Sequence, residues 1–510
     1  MTSYGRAGFG RIALAIGFGG LLALTACGDK GPDKTQIATD LKTSVEGQLK
    51  LLEGSQAQKV VSHTAVNVTP QDDGLYLVSI EGLKLQPTPE GYLDVGTVSY
   101  LAKPKDEKTY EVSGLKMAET MPFKGPDGKD RGKLAITTKA FNGLWSKELG
   151  AFQKLDAEFA DISATDDAQG DVRVADAKFS GALTDKGGGV FDSIGNLVLS
   201  GFTAKDTGQG VFGISEVRVD GKYDSLKIAD YQAAIRKYQE LTVKQMAAVD
   251  QAGTNPAQPA TLSPEDQKAM TDAITTMAAS VKGGDFKIAF SGLKYSEAGK
   301  DPFSLGSLTL GTTIDGINQD KASLAFDIAH QDLAISTGET ASPVAQATLP
   351  KNGNLSLKVT DVPSKDLVKV LSDNLPGVLS SDVMMAQANA TAMMVALEAV
   401  FQTSGAKIEI APSQLVSQLM ELKADGNFNV TPQAAFGVVG GLNVAIRGMD
   451  DLVALAQKTP EDYEAQQAMS SVGMLQQYSA REQGADGKPV DKFKIEVNEQ
   501  GQLLVNGKPM

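Results

Sequence analysis

Cysteine, histidine and tryptophan are almost missing from this chain: 510 residues hold one Cys, two His and one Trp. A single cysteine cannot pair internally, so no disulfide framework holds the fold. Two histidines, His63 and His330, lie far apart with no cysteine between them, which argues against an N/S zinc centre. Positive charge is also short, 48 Lys+Arg against 62 Asp+Glu for a formal net charge of −14. Nucleic-acid phosphates repel such a chain, so no nucleic-acid partner is expected. Nor is there a polybasic patch to grip anionic headgroups. A permanent helical span needs roughly 20 apolar residues, and no uninterrupted run reaches that length.

What the amino terminus does have is an export pattern. Arg6 and Arg11 precede an apolar run from Ile12 to Ala26, and Leu24-Thr25-Ala26-Cys27 follows the lipobox pattern. A basic region, a short apolar region and small residues before a cysteine read as a signal peptide cleaved ahead of Cys27, whose thiol is available for diacylation. Each buried methylene contributes about 0.8 kcal/mol, and stable anchoring takes more than one chain. The expected mature protein is therefore tethered through Cys27 in the bacterial cell envelope, facing the periplasm, with Gly28–Lys34 as a short leash. Gly28 after the cysteine points to the outer membrane. Removing the leader takes the formal charge from −14 to −16, because Arg6 and Arg11 leave with it.

Most of the remaining chain alternates apolar and polar residues, as in Leu75–Ile80, Val217–Val219, Phe286–Phe290 and Leu324–Ile328. Period two predicts strands with one buried and one wet face. Pro126-Asp127-Gly128-Lys129 and Lys186-Gly187-Gly188-Gly189 carry turn chemistry. An internal repeat organises the strands: Gly82/Gly96, Gly181/Gly195, Gly292/Gly306 and Gly426/Gly440 are each 14 apart. About five such pairs arise by chance at this glycine content, so the flanks carry the argument. An aliphatic residue precedes each second glycine (Val95, Ile194, Leu305, Val439), and apolar residues follow two and four later. The pattern predicts a repeated hairpin in which the second glycine starts a strand.

Helices are expected between the repeats. Ile228–Val249 keeps Ile228, Tyr231, Ile235 and Leu241 near one face, Asn255–Pro259 reads as a loop, and Ser263-Pro264-Glu265-Asp266 is a helix start. Thr459-Pro460-Glu461-Asp462 repeats that start before a segment reaching about Gln477. Ser364–Asn374 and Ser381–Phe401 read as a pair broken at Pro376-Gly377. The second carries Met384, Met385, Met393 and Met394. Its plainer reading is a helix packed on a sheet; its sharper one is an adaptable apolar surface for lipid or a partner.

The expected fold class is α+β: repeated antiparallel β-hairpins forming a long curled sheet or groove, with helical inserts packed on it. The expected segments are 1–26 signal, 27–35 anchor and leash, 36–227 β-rich with a leading helix, 228–283 helical, 284–362 β, 363–424 helical, 425–447 hairpin, 448–484 helix and 485–510 closing hairpin.

Catalytic motifs are weak. Gly208–Gly213 matches the dinucleotide fingerprint by letters but runs into an alternating strand where a helix is required. Ser113-Gly114-Leu115-Lys116 and Ser291-Gly292-Leu293-Lys294 match Ser-x-x-Lys, yet residues three apart on a regular strand face opposite ways. Asp161–Asp171 reads as a solvated acidic loop without EF-hand order. No catalytic residue, metal site or cofactor is expected.

The repeated Ser-Gly-Leu-Lys, the stretch Phe303–Leu310 and the terminal Val505-Asn506-Gly507-Lys508-Pro509 resemble an uncharacterised family of bacterial envelope proteins of about this length, more distantly AsmA-like. The resemblance implies a curled sheet with an apolar groove, an envelope location and no catalytic residues. Its members keep an uncleaved N-terminal helix, where this chain has a lipobox. Three functions are weighed: binding of a lipid or amphiphile or a role in envelope assembly, a scaffold docking an envelope protein, and a carboxylate-dependent hydrolase.

Overall fold

The period-two segments fold as antiparallel strands and the helical segments as inserts, giving an α+β protein that is mostly sheet. The computed structural model describes residues 33–52, 54–55, 58–59, 61–88, 91–166, 170–205, 210–252, 263–297, 300–336, 342–378, 383–435 and 437–509. The leader, Cys27, residues 28–32 of the leash and the Asn255–Pro259 loop lie outside the described residues. The chain divides at Val281/Lys282 into two compact units, with Leu379–Met384 counted in the first and Met385–Met510 in the second.

The first unit holds helix α1 (Lys34–Leu52) and thirteen strands: β1 (Gly54–Ser55), β2 (Gln58–Lys59), β3 (Val61–Ser62), β4 (Ala65–Pro70), β5 (Tyr76–Thr88), β6 (Gly91–Pro104), β7 (Thr109–Lys116), β8 (Thr120–Lys124), β9 (Asp130–Ser146), β10 (Ala151–Asp166), β11 (Gly170–Gly187), β12 (Val190–Lys205) and β13 (Val211–Lys227). Helices α2 (Ile228–Ala252) and α3 (Pro264–Ala279) follow. From β5 to β13 the ladder follows chain order, with β7 and β8 sharing the place between β6 and β9.

Leu41, Val45 and Leu49 of α1, four residues apart and therefore on one helix face, are buried where the helix lies against β3, β4 and β5. Val78 and Ile80 of β5 and Val98 and Tyr100 of β6 are buried as well. Burial pushes the Tyr100 and Tyr110 phenols well above the usual tyrosine range, so both stay neutral at physiological pH. The Ser263 hydroxyl accepts from the Asp266 amide and caps α3 as its sequence requires.

The strands keep one apolar face by a device that simple alternation does not contain. In β5, Tyr76, Val78 and Ile80 are buried at even positions before Gly82, but Leu83 and Leu85 are buried at odd positions after it. In β6, Leu93 and Val95 precede Gly96, and Val98, Tyr100 and Ala102 follow with the opposite parity. Gly82 and Gly96 have φ of +59° and +73°. A residue in the left-handed region inserts one extra position, bends the strand and returns the next apolar side chain to the core. A Cβ on Gly82 would also lie 2.7 Å from Thr64 Cγ2.

This corrects the repeat reading. Gly96, Gly195, Gly306 and Gly440 lie inside strands rather than at their starts. Gly181 and Gly195 are cross-strand partners about the Gly187–Gly189 turn, whereas Gly440 pairs with Phe428 instead of Gly426. All four pairs straddle antiparallel neighbours in the sheet, so spacing by 14 does mark the two arms of a hairpin, but the glycines need not oppose each other: Gly96 faces Leu83 and Gly440 faces Phe428.

The second unit contains β14 (Gly283–Glu297), β15 (Lys300–Asp315), β16 (Ala322–Gln331), β17 (Ala334–Ile335), α4 (Pro343–Thr348), β18 (Asn352–Val362), α5 (Ser364–Val378), the body of α6 (Val383–Ser404), β19 (Lys407–Val416), β20 (Glu421–Val430), β21 (Val438–Arg447), α7 (Met449–Ala456), α8 (Tyr463–Tyr478), β22 (Ala480–Gln483), β23 (Pro489–Val497), β24 (Leu503–Val505) and β25 (Lys508–Pro509). The closing hairpin turns on Asn506 and Gly507, both at positive φ, the pairing a type I′ turn requires.

Several expected boundaries move. Helix α5 runs through Pro376-Gly377 to Val378, so those residues do not break it. Segment 363–424 gives way to strand at Lys407, and 448–484 is two helices and a short strand rather than one helix. The cap of α8 is Asp462, whose side chain accepts from the Glu464 amide, so Thr459–Glu461 precede the helix. Helix α4 breaks the expected β segment 284–362, capped by Ser342 with Pro343 behind it.

Candidate functional site

The register of the second unit sorts its side chains into two unlike faces. One carries the rows Ile288–Leu310–Ile328–Leu355 and Phe286–Thr312–Phe326–Leu357–Ile410 across β14, β15, β16, β18 and β19. The other carries Lys287–Gly311–Asp327–Ser356 and Asp285–Thr313–Ala325–Lys358–Glu409. Directly opposed residues share a face, so each row is a contiguous band.

The apolar face is closed at one end only. Over β20 to β24, α4, α7 and α8 bring Val344, Met449, Leu452, Ala465 and Val472 onto Ile446, Phe493 and Val505 in a dry cluster. Over β14 to β19 the same face is open: Phe286 is 48% exposed, Leu355 46% and Phe326 42%. An exposed contiguous apolar band of this kind marks a binding surface more often than a scattered exposed leucine does.

In the first unit, the band Ala157–Phe179–Leu197–Val219 lies beside Leu155–Gly181–Gly195–Gly221. Three glycines in register leave bare backbone, and a Cβ on Gly195 or Gly221 would meet nothing within 4 Å. The opposite face carries Glu158–Lys178–Val198–Arg218, with Lys178 paired to Glu158 at 3.1 Å. That exposed pair contributes little to stability.

Of the methionines, Met384 and Met394 stand exposed on α6 with Val395, and Met393 is half-buried. The Met385 side chain lies outside the described residues. The partly buried stripe Ala386, Asn389, Met393, Ala396, Val400 shows that α6 uses one narrow face and leaves other apolar residues open.

His63 lies in the first unit and His330 in the second. Among the described residues no three His, Cys, Asp or Glu side chains gather as metal ligands. Val211–Lys227, after the glycine-rich letters, is a strand. The Ser113–Lys116 reasoning needs correction: Gly114 has φ +65° and reverses parity, so Val112 and Leu115, three apart, are both buried. Ser113 and Lys116 therefore share the outward face, Lys116 exposed. Asp161–Asp166 and Gly170–Asp171 belong to the two arms of the β10–β11 hairpin, and 167–169 lie outside the described residues. The aspartates with displaced pKa values, such as Asp361 held by Lys321, Asp320 by Lys365 and Asp106 by the Thr109 hydroxyl, all move below the usual range. A glycosidase-type general acid needs the opposite displacement.

Sequence reasoning picked out the strands Phe286–Phe290 and Leu324–Ile328 and expected an apolar groove, but not that these strands carry the open side. Alternation looks the same whether or not a helix covers it. No family model, curated protein or solved structure matches this chain.

Proposed function

We propose that this chain is a lipoprotein of the bacterial envelope, tethered through Cys27, whose open apolar sheet face holds the acyl part of a lipid or other amphiphile without catalysing a reaction. The observation that carries the reading is the uncovered band over β14–β19 around Phe326 and Leu355. An uncovered apolar sheet face suits a flexible chain, which gains about 0.8 kcal/mol per buried methylene.

The test places charge on that band. Phe326→Asp with Leu355→Asp is expected to weaken binding of a fluorescent fatty acid by about tenfold, equivalent to ~1.4 kcal/mol. Because both side chains are only about half buried, the unfolding free energy from urea titration is expected to fall by no more than about 2 kcal/mol, so the variant stays folded. Unchanged affinity would remove this face from the account.

A second reading, a scaffold that docks an envelope protein, rests on α6, where Met384 is 82% and Met394 65% exposed. Crosslinks from α6 to one partner, with no bound apolar probe, would favour it.

A further inference from the structure

Followed along β16, the open apolar face ends on a histidine. Leu324, Phe326 and Ile328 share one side of the strand, and the next residue in that series is His330. Register carries its row across the sheet: Phe290 pairs with Leu308, Leu308 with His330, His330 with Gly353 and Gly353 with Leu415. Four rows, through Leu324, Phe326, Ile328 and His330, make up this face over β14–β19. In them only Thr312 and His330 carry a polar side chain, and only His330 can ionise. Thr312 lies inside the band, whereas His330 stands where β16, β18 and β19 reach their ends.

The imidazole is half-buried on this face, with Leu415 beside it 41% exposed. It lies against the bare backbone of Gly353, where a Cβ would come 2.6 Å from Cε1 and 3.2 Å from Nδ1. Glycine therefore keeps a β18 side chain off the Nδ1 edge. His330 Nε2 is 3.1 Å from the Pro350 carbonyl oxygen, which can only accept, so Nε2 donates there and Nδ1 is left to meet a ligand. A carboxyl or a hydroxyl group suits Nδ1 in either charge state of the ring, since each can donate to the bare nitrogen or accept from its N–H. A trimethylammonium head offers neither a donor nor an acceptor. From His330 back to Leu324 the strand runs about 20 Å, against about 15 Å for the acyl layer of one bilayer leaflet.

We propose that His330 takes the head of the bound amphiphile, a carboxyl or hydroxyl group, with a single hydrocarbon chain laid along β16 toward Leu324. This inference rests on the acyl-binding reading and adds the direction of the ligand and the chemistry of its head.

The test uses the full chain carrying Cys27→Ser, stripped of lipid and labelled with ¹⁵N-histidine, where only His63 and His330 report. A stearate spin-labelled near its carboxyl is expected to broaden the His330 ring signals strongly, and one labelled near its methyl end to leave them sharp. Stearic acid or octadecanol is expected to bind the parent about tenfold more tightly than methyl stearate, the worth of one hydrogen bond, and His330→Leu to remove that preference. The tighter of the two names the head, and equal binding means that both serve Nδ1. Stronger broadening by the methyl-end label, or a parent that binds methyl stearate as well as the acid and the alcohol, would overturn this inference alone, provided that Phe326→Asp with Leu355→Asp still weakens binding. No binding of any of these chains to the parent would overturn the acyl-binding reading and this inference with it.

Discussion

A Cys27→Ser chain is expected to leave the membrane almost completely. That result follows from the proposal that a lipid on Cys27 holds the protein at the membrane. The remaining body is acidic, and anionic headgroups repel it. One acyl chain gives only marginal binding, with an association constant of about 10⁴ M⁻¹, and several give stable anchoring, so removing all of them lowers partitioning by orders of magnitude. Fractionation with metabolic labelling by palmitate reads this directly. The parent is expected to be labelled and sedimented with membranes, and the variant unlabelled and soluble. A labelled Ser variant, or an unlabelled parent, would refute acylation at Cys27. An unlabelled variant that still sediments would place the membrane affinity in an uncleaved leader, which its mass would show, or in the folded body.

Trp145→Ala is expected to destabilise the first unit by about 3–5 kcal/mol, the range for truncating a large buried aromatic. Trp145 is 2% exposed on β9, opposite Tyr110 on one side and Phe152 on the other. Its ring meets the edge of Phe152 at 4.9 Å between centroids, and Phe152 in turn lies over Gly143, where a Cβ would come within 2.5 Å. Bare backbone at Gly143 thus makes room for the aromatic pair, and the truncation leaves a cavity that rigid strands close poorly. Urea unfolding followed by far-UV circular dichroism measures the loss, with Tyr463→Ala, 73% exposed, as the control expected within about 0.5 kcal/mol. A loss below about 1 kcal/mol for Trp145→Ala would contradict the packing described for this core.

Local chemistry was legible wherever one or two residues dictate it. Ser263-Pro264 starts a helix because the hydroxyl takes an orphan amide and proline needs none. Asn506-Gly507 makes the last turn because both residues tolerate positive φ. Less legible was what depends on position within a strand. Val95-Gly96-x-Val98 and Ile194-Gly195-x-Leu197 look alike, yet Gly96 is left-handed and turns Val95 inward, while Gly195 stays extended and Ile194 is 57% exposed. Which strands carry the open band was invisible for a related reason. It arises from register, which sets Leu355 beside Ile328 and Leu357 beside Ile410 across dozens of residues. The exposed methionines of α6 were the part of the candidate surface that composition alone could flag.

The claim that this chain carries an apolar ligand is tested most directly by native mass spectrometry of the Cys27→Ser protein. It would be exported, purified from the periplasm without detergent and extracted for lipids. The account predicts a stoichiometric adduct that dissociates as a lipid or amphiphile and is lost in Phe326→Asp with Leu355→Asp. A homogeneous, unliganded protein, with an empty extract, would contradict it.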